Sequence, residues 1–130
     1  MGTLLLDTCV IIDALNGKRG RAALLLDMVN SGHILACCPI NITEVYAGMR
    51  PKEAAPTGEF LASLQYVPIA PNTARLAGEL KRGYARKGTT LNLGDAIIAA
   101  VAIHNELVLL TDNTKDFPMA ELSLYPLPKG

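Results

Sequence analysis

Four apolar runs, each too short for a helix of ordinary length, recur along the chain with longer stretches of helical period between them: TLLL at 3–6, HILAC at 33–37, YVPI at 66–69 and LVLL at 107–110. Such runs suit strands buried on both faces, and parallel strands need a long crossover between each pair. The alternation therefore predicts an α/β fold around a mainly parallel sheet. A weaker run near the end, LSLYP, sets the expectation at four to five strands.

Helices are expected over 8–15, stopped by Asn16-Gly17, and over 21–31, closed by Ser31-Gly32. A third begins after Pro39 and runs over about 41–49, with Ile42, Val45, Tyr46 and Met49 at helical spacing. Pro71 opens a long helix to about Lys87. The last, LGDAIIAAVAIH over 93–104, is apolar nearly all round and should be buried. The segment from Pro51 to Gly58, with two prolines and a glycine, reads as punctuation without a domain boundary. With no internal repeat, the 130 residues are expected to form one domain, 1–130.

Composition narrows the function classes. Twelve Lys+Arg balance 12 Asp+Glu, so bulk charge argues neither for nor against a polyanionic partner, and any nucleic-acid binding must come from local clustering. Half the residues are hydrophobic, which for so small a domain points weakly to a covered surface patch in an oligomer or companion complex. The odd set Cys9, Cys37 and Cys38 lacks CxxC spacing and reads as thiols in a reducing cytoplasm, with neither a disulfide frame nor a zinc site expected. The opening MGTLLLD has no basic leader region, and no apolar run reaches the ~18–20 residues of a membrane span. Neither a signal peptide nor a membrane role is expected.

The residues that carry chemistry are acids at the edges of apolar segments: Asp7, Glu44, Asp95, Asp112 and Asp116. In open parallel sheets the functional crevice lies beyond the carboxyl ends of the strands. Asp7 directly follows the first strand, Asp112 and Asp116 follow the fourth, Glu44 lies a turn into a helix, and Asp95 lies in the first turn of the buried one. Each has an ordinary structural reading, as an N-cap, a helix-dipole partner or a turn residue. Their joint placement is harder to explain so, because LLLDTCVII and LGDAIIAA offer no nearby base to compensate a buried acid. Two carboxylates ~4 Å apart repel by about 4 kcal/mol at an effective dielectric near 20, so a cluster must hold protons or a cation. All-oxygen donors favour Mg²⁺ or Mn²⁺ over Zn²⁺. With no GxxxxGK[ST] loop, a phosphoryl-transfer site of acids and metal is the expectation. His33 and His104 sit at element ends and read as structural, which weakens a metal-free, His-dependent ribonuclease mechanism.

LLLDTCVIIDAL, NITEVYAGM, LNLGDAIIAAVA and LVLLTDNTKDF, in that order, resemble the PIN-domain nucleases, and most of all the VapC toxins of toxin–antitoxin pairs. The resemblance implies a three-layer α/β/α sandwich and Mg²⁺- or Mn²⁺-dependent endoribonuclease activity. It assigns the metal-binding acids to Asp7, Glu44 and Asp95, with Asp116 as the fourth and Asn113 or Asp112 as its rivals. Thr8 and Thr111 would orient ligands or solvent. A cognate antitoxin that presents a basic side chain to the acids, a homodimer, and products with 5′-phosphate and 3′-hydroxyl ends are also implied. Arg75, Lys81, Arg82, Arg86 and Lys87, against the single Glu79, form a basic stretch suited to an RNA backbone or simply to solvent. The competing readings are a non-catalytic PIN-like module that binds RNA or protein, and a small metal-dependent phosphatase. The latter's D-x-D pattern is broken by Cys9.

Overall fold

The computed structural model describes residues 2–125, 127 and 128. In chain order these form β1 (Thr3–Leu6), α1 (Thr8–Leu15), α2 (Arg21–Asn30), β2 (Ile34–Cys37), α3 (Pro39–Gly48), α4 (Ala54–Ala62), β3 (Gln65–Tyr66), α5 (Pro71–Arg86), α6 (Leu93–His104), β4 (Val108–Leu110) and β5 (Ser123–Tyr125). The strands make one sheet in the order β3-β2-β1-β4-β5, and every pairing is parallel.

Alternation along the strands divides the core into two layers. Leu5, Ala36 and Leu109 face the side covered by α5 and α6, where Ala77, Leu80, Ile98 and Ala99 meet them. Leu4, Leu6, Leu35, Cys37 and Leu110 face the other side, where α1, α2 and α4 contribute Val10, Ile11, Leu25, Met28 and Leu61. Helices on both faces of a parallel sheet make the three-layer α/β/α sandwich expected from the sequence. α6 is buried nearly all round, since Ala96, Ile98, Ala99, Ala100, Val101 and Ala102 all lie in the core. Its small residues let it lie close to the sheet and to α5.

Several boundaries differ from expectation. The Pro51–Gly58 stretch is not merely a break: a 3-10 turn at Pro51–Glu53 leads straight into α4. Both prolines are tolerated because they occupy first-turn positions, whose N–H groups have no intrahelical acceptor. α3 starts at Pro39, two residues early, because proline at the first helical position is already set to helical φ. The third strand is only Gln65–Tyr66, where 66–69 was expected, since Pro68 cannot donate to the ladder. The weak LSLYP run is a true edge strand.

The strand order reverses at β1, with β2 and β3 on one side and β4 and β5 on the other. Crevices open at such switch points, beyond the carboxyl ends of the central strands. The sandwich depends on the centre of α6, so Ile98→Ala should destabilise the fold by roughly 2–5 kcal/mol in urea unfolding, through lost burial and a residual cavity.

Candidate metal centre

Asp7 ends β1 and caps α1. Its backbone N–H donates to the Leu110 carbonyl at 2.9 Å, which extends the β1–β4 ladder by one rung and fixes Asp7 at the switch point. Its carboxylate is buried, yet every oxygen has a donor: Oδ1 accepts from the Thr8 N–H at 2.9 Å, and Oδ2 from the Thr111 hydroxyl at 2.7 Å and the Cys9 thiol at 3.5 Å. The N-cap role and the site role are therefore met by one side chain.

Two threonines orient the acids by the same device. A hydroxyl has one hydrogen, and an N–H that donates to its oxygen leaves that hydrogen for a nearby acceptor. The Asn113 N–H donates to Thr111 Oγ1 at 2.9 Å, so Thr111 gives its hydrogen to Asp7. Asn41 Nδ2 donates to Thr8 Oγ1 at 3.1 Å, so Thr8 gives its hydrogen to Glu44 Oε1 at 2.6 Å. Asn41 is fully buried, and its Oδ1 accepts from the Cys38 N–H at 2.8 Å in a capping box at the start of α3. The sequence reading passed over Asn41. An Asn two residues after a proline at a helix start, and three before an acid, was the available signal.

Asp95 lies in the first turn of α6, where its backbone N–H donates to the Asn92 N-cap at 3.3 Å. Its carboxyl is pushed up to about 6, first by burial and then by the charges of Asp7, Asp116 and Glu44. Three of the candidate acids therefore bear on the fourth. Gly94 brings Glu44 close to this helix: a Cβ there would stand 3.3 Å from Glu44 Oε2 and 3.1 Å from Asn92 Oδ1. Among the described residues no three acid, His or Cys side chains already converge on a single ion's coordination sphere. The donor chemistry, carboxylates with hydroxyl support, no imidazole and a Cys9 thiol that stays protonated, suits a hard divalent ion.

Asp116 and Asp112 part company here. Asp116 lines an open cleft of ≈440 Å³ together with Asp95, whereas Asp112 turns to Arg21. Arg21 is 1% exposed and grips Asp112 through Nη2 to Oδ1 at 2.7 Å and Nε to Oδ2 at 3.4 Å, while Arg19 reaches Asp112 Oδ2 at 3.2 Å. Arg21 Nη2 also donates to the Pro128 carbonyl at 2.9 Å. No local signal marked Arg21, whose partner is 91 residues away.

The other sequence candidates divide in the same way. Lys81 donates to the Leu91 carbonyl at 2.5 Å and so fastens the turn ahead of α6. Arg75 pairs with Glu79 at 3.7 Å, and Lys87 stacks over Tyr84 at 5.3 Å. Arg82 and Arg86 stand exposed. His104 Nδ1 meets Thr73 Oγ1 at 3.0 Å, and His33 contacts the ring of Tyr125, both away from the acids. Cys9 touches Asp7, but its thiol is pushed up to about 11, chiefly by burial and then by Asp7, so it serves as a donor and not as a thiolate.

A model of the PIN domain matches residues 4–121. The chain belongs to the PIN-domain family. This PIN domain is similar to two ribonucleases of Mycobacterium tuberculosis (strain ATCC 25618 / H37Rv). It is 33% identical to VapC19 over 115 residues, covering 88% of this chain and 92% of that protein. It is 35% identical to VapC10 over 118 residues, covering 91% and 88%. Among solved structures it is similar to VapBC2 from Rickettsia felis bound to a promoter DNA fragment, with TM-score 0.83, 22% identity and coverage of 95% and 97%. It is also similar to a toxin–antitoxin complex from Klebsiella pneumoniae, with TM-score 0.76, 29% identity and coverage of 92% and 94%.

The raised Asp95 gives this PIN domain a pH signature. A carboxyl raised from 3.8 to about 6 in the folded state binds more protons there than in the unfolded chain, so its contribution to stability is present at low pH and lost as pH rises towards 6. Discounted for its partial exposure, the loss is on the order of 1–2 kcal/mol. In chelator, Asp95→Asn should therefore melt higher than wild type at pH 7.5 and nearly with it at pH 4, as followed by circular dichroism.

Proposed function

We propose that this PIN domain, spanning residues 1–130, is a metal-dependent endoribonuclease and the cytoplasmic toxin of a toxin–antitoxin pair. The observation that carries the proposal is the geometry at the switch point: Thr111 and Thr8 donate to Asp7 and Glu44, Gly94 beside Asp95 lies against Glu44, and Asp95 shares a cleft with Asp116. The curated VapC relatives support the substrate class by their names.

In this reading Asp7, Glu44, Asp95 and Asp116 hold Mg²⁺ or Mn²⁺. When bound, such an ion lowers the pKa of a water and neutralises charge on a phosphodiester. The chain's own residues prepare the site. Thr8 occupies one lone pair of Glu44, and Thr111, the Thr8 N–H and the Cys9 thiol occupy three of Asp7, which leaves Glu44 three and Asp7 one for the pit. Asp95 is mostly ionised at neutral pH, and its place at a helix N-terminus favours that charge. Exposed Arg82 and Arg86 on α5, the helix whose chain leads to the pit, suit the RNA backbone. Hydrolysis leaves 5′-phosphate and 3′-hydroxyl ends. A phosphatase of the D-x-D type is disfavoured, because the second acid is replaced by the protonated Cys9. The complete acid set weighs against a module that binds without cutting.

Labelled structured RNAs incubated with Mg²⁺, Mn²⁺ or chelator test the activity. Cleavage should require metal, and Asp7→Asn or Asp95→Asn should lower its rate at least about 100-fold, as expected when a metal-ligating carboxylate is lost. Wild-type protein that cuts no RNA with either ion, together with growth arrest that survives both substitutions, would sink the proposal.

The antitoxin partner is also part of this reading, as is a toxin homodimer. The former is supported by the structural likeness to VapBC2 and to a toxin–antitoxin complex. A second support is an open apolar cleft of ≈670 Å³ between α2 and α4, with Leu26 59% and Ile34 51% exposed at its rim. Among the described residues no helix is long and apolar enough to cross a membrane. Leu26→Asp should abolish co-purification with a co-expressed cognate antitoxin and leave RNA cleavage intact. Unchanged co-purification would place the partner elsewhere.

A further inference from the structure

The cleft that holds Asp95 and Asp116 is not purely acidic. Lys115 lines it as well, on the 3-10 turn Thr114–Asp116, and Thr89, Thr90 and Asn92 form another part of its wall. Lys115 is the sole cation among the described residues that line this space. A lysine beside several carboxylates would ordinarily pair with one of them. Among the described residues Lys115 makes no ion pair within 4.0 Å, although Arg19 and Arg21 do so with the neighbouring Asp112. The cationic charge that could neutralise the pit is spent on Asp112, and Lys115 is left for a ligand.

The exposed basic residues Arg86 and Lys87 end α5, and the chain passes directly from them to Thr89 and Thr90. One wall of the cleft is thus continuous with a basic helix end, and another carries Lys115. Hydroxyls, a side-chain amide and an ammonium are the donors that a phosphodiester oxygen accepts. An ammonium on a flexible stem can follow a backbone phosphate without reading the base.

We propose that Lys115, with Thr89 and Thr90, forms a subsite for the backbone phosphate next to the scissile one, on single-stranded nucleic acid. The subsite rests on the nuclease reading above. It deepens that reading by naming what holds the chain beside the acids: Lys115 contributes one phosphate contact, and the acid pair in the same cleft faces the next phosphate along.

The test is equilibrium binding of a fluorescein-labelled, unstructured single-stranded RNA to the full chain in chelator, from 50 to 200 mM KCl. One phosphate contact on a single strand accounts for a slope of about 0.7 in log Kd against log salt, which over this range is about a threefold change in Kd. Lys115→Ala should lower the slope by that amount, Lys115→Glu by more, and Lys115→Arg should restore it. Lys52→Ala, a lysine that lines no part of this cleft, should leave the slope unchanged. Mn²⁺ affinity, read from the spin resonance of the free ion, should be equal or tighter in Lys115→Ala, because a like charge has left the pit. A slope unaltered in Lys115→Ala, or lowered equally in Lys52→Ala, overturns the subsite while the nuclease reading stands on its cleavage assay. A wild-type chain that binds no RNA in chelator and cuts none with Mn²⁺ overturns both.

Discussion

Repulsion among carboxylates is the constraint around which this molecule is arranged. Four acids from four parts of the chain are brought to one end of the sheet, at a cost in charge repulsion that helps to raise the Asp95 carboxyl. The fold bears that cost through rigid placement. Asp7 is locked by the β1–β4 ladder, Asp95 by the first turn of α6, and Glu44 by a helix that starts in a capping box. Asp7 and Asp95 stand at element ends, where a strand stops at the crevice or unpaired N–H groups favour negative charge, and Glu44 lies in the second turn of its helix. The parallel sheet with its switch at β1 is what makes these ends coincide.

Donor supply completes the arrangement. Buried Asp7 collects a backbone N–H, a hydroxyl and a thiol, and among the described residues no buried side-chain nitrogen or oxygen lacks a partner. The hydroxyl hydrogens are not free to choose, because Asn113 and Asn41 fill the acceptor side of each threonine. A carboxylate oriented by fixed donors has less freedom to lose when a cation arrives, the same economy that pre-organised ligand sites rely on.

Most of this was legible in the sequence where the signal was local. Short apolar runs gave the strands and the all-apolar LGDAIIAAVAIH gave the buried helix, since each follows from period and position within a dozen residues, and acids at element edges set the expectation of a metal pit. What escaped depends on three-dimensional closeness. Asp112 and Asp116 look alike in TDNTKDF, and only Arg21, from the far side of the sequence, separates them. Asn41 reads as one more polar residue until Thr8 is placed against it across 33 positions. α4 was hidden because proline was read as a breaker, when a first-turn proline loses no hydrogen bond.

Arg21 also explains how an acid on a short loop can share a site with acids on rigid elements. β4 and β5 are parallel neighbours joined by residues 111–122 without an α-helix, so the segment bearing Asp116 lacks the crossover that steadies the other strand ends. A buried guanidinium that takes Asp112 with two bonds, and a carbonyl of the chain's end with a third, replaces that support. The same pairing removes Asp112 from the pit, which would otherwise hold a fifth negative charge. Buried ion pairs seldom add net stability over apolar packing, but breaking one by removing a single partner is costly. The pair is therefore better understood as fixing where the loop sits, and with it the spacing of Asp116 and Lys115 from Asp95, than as strengthening the fold.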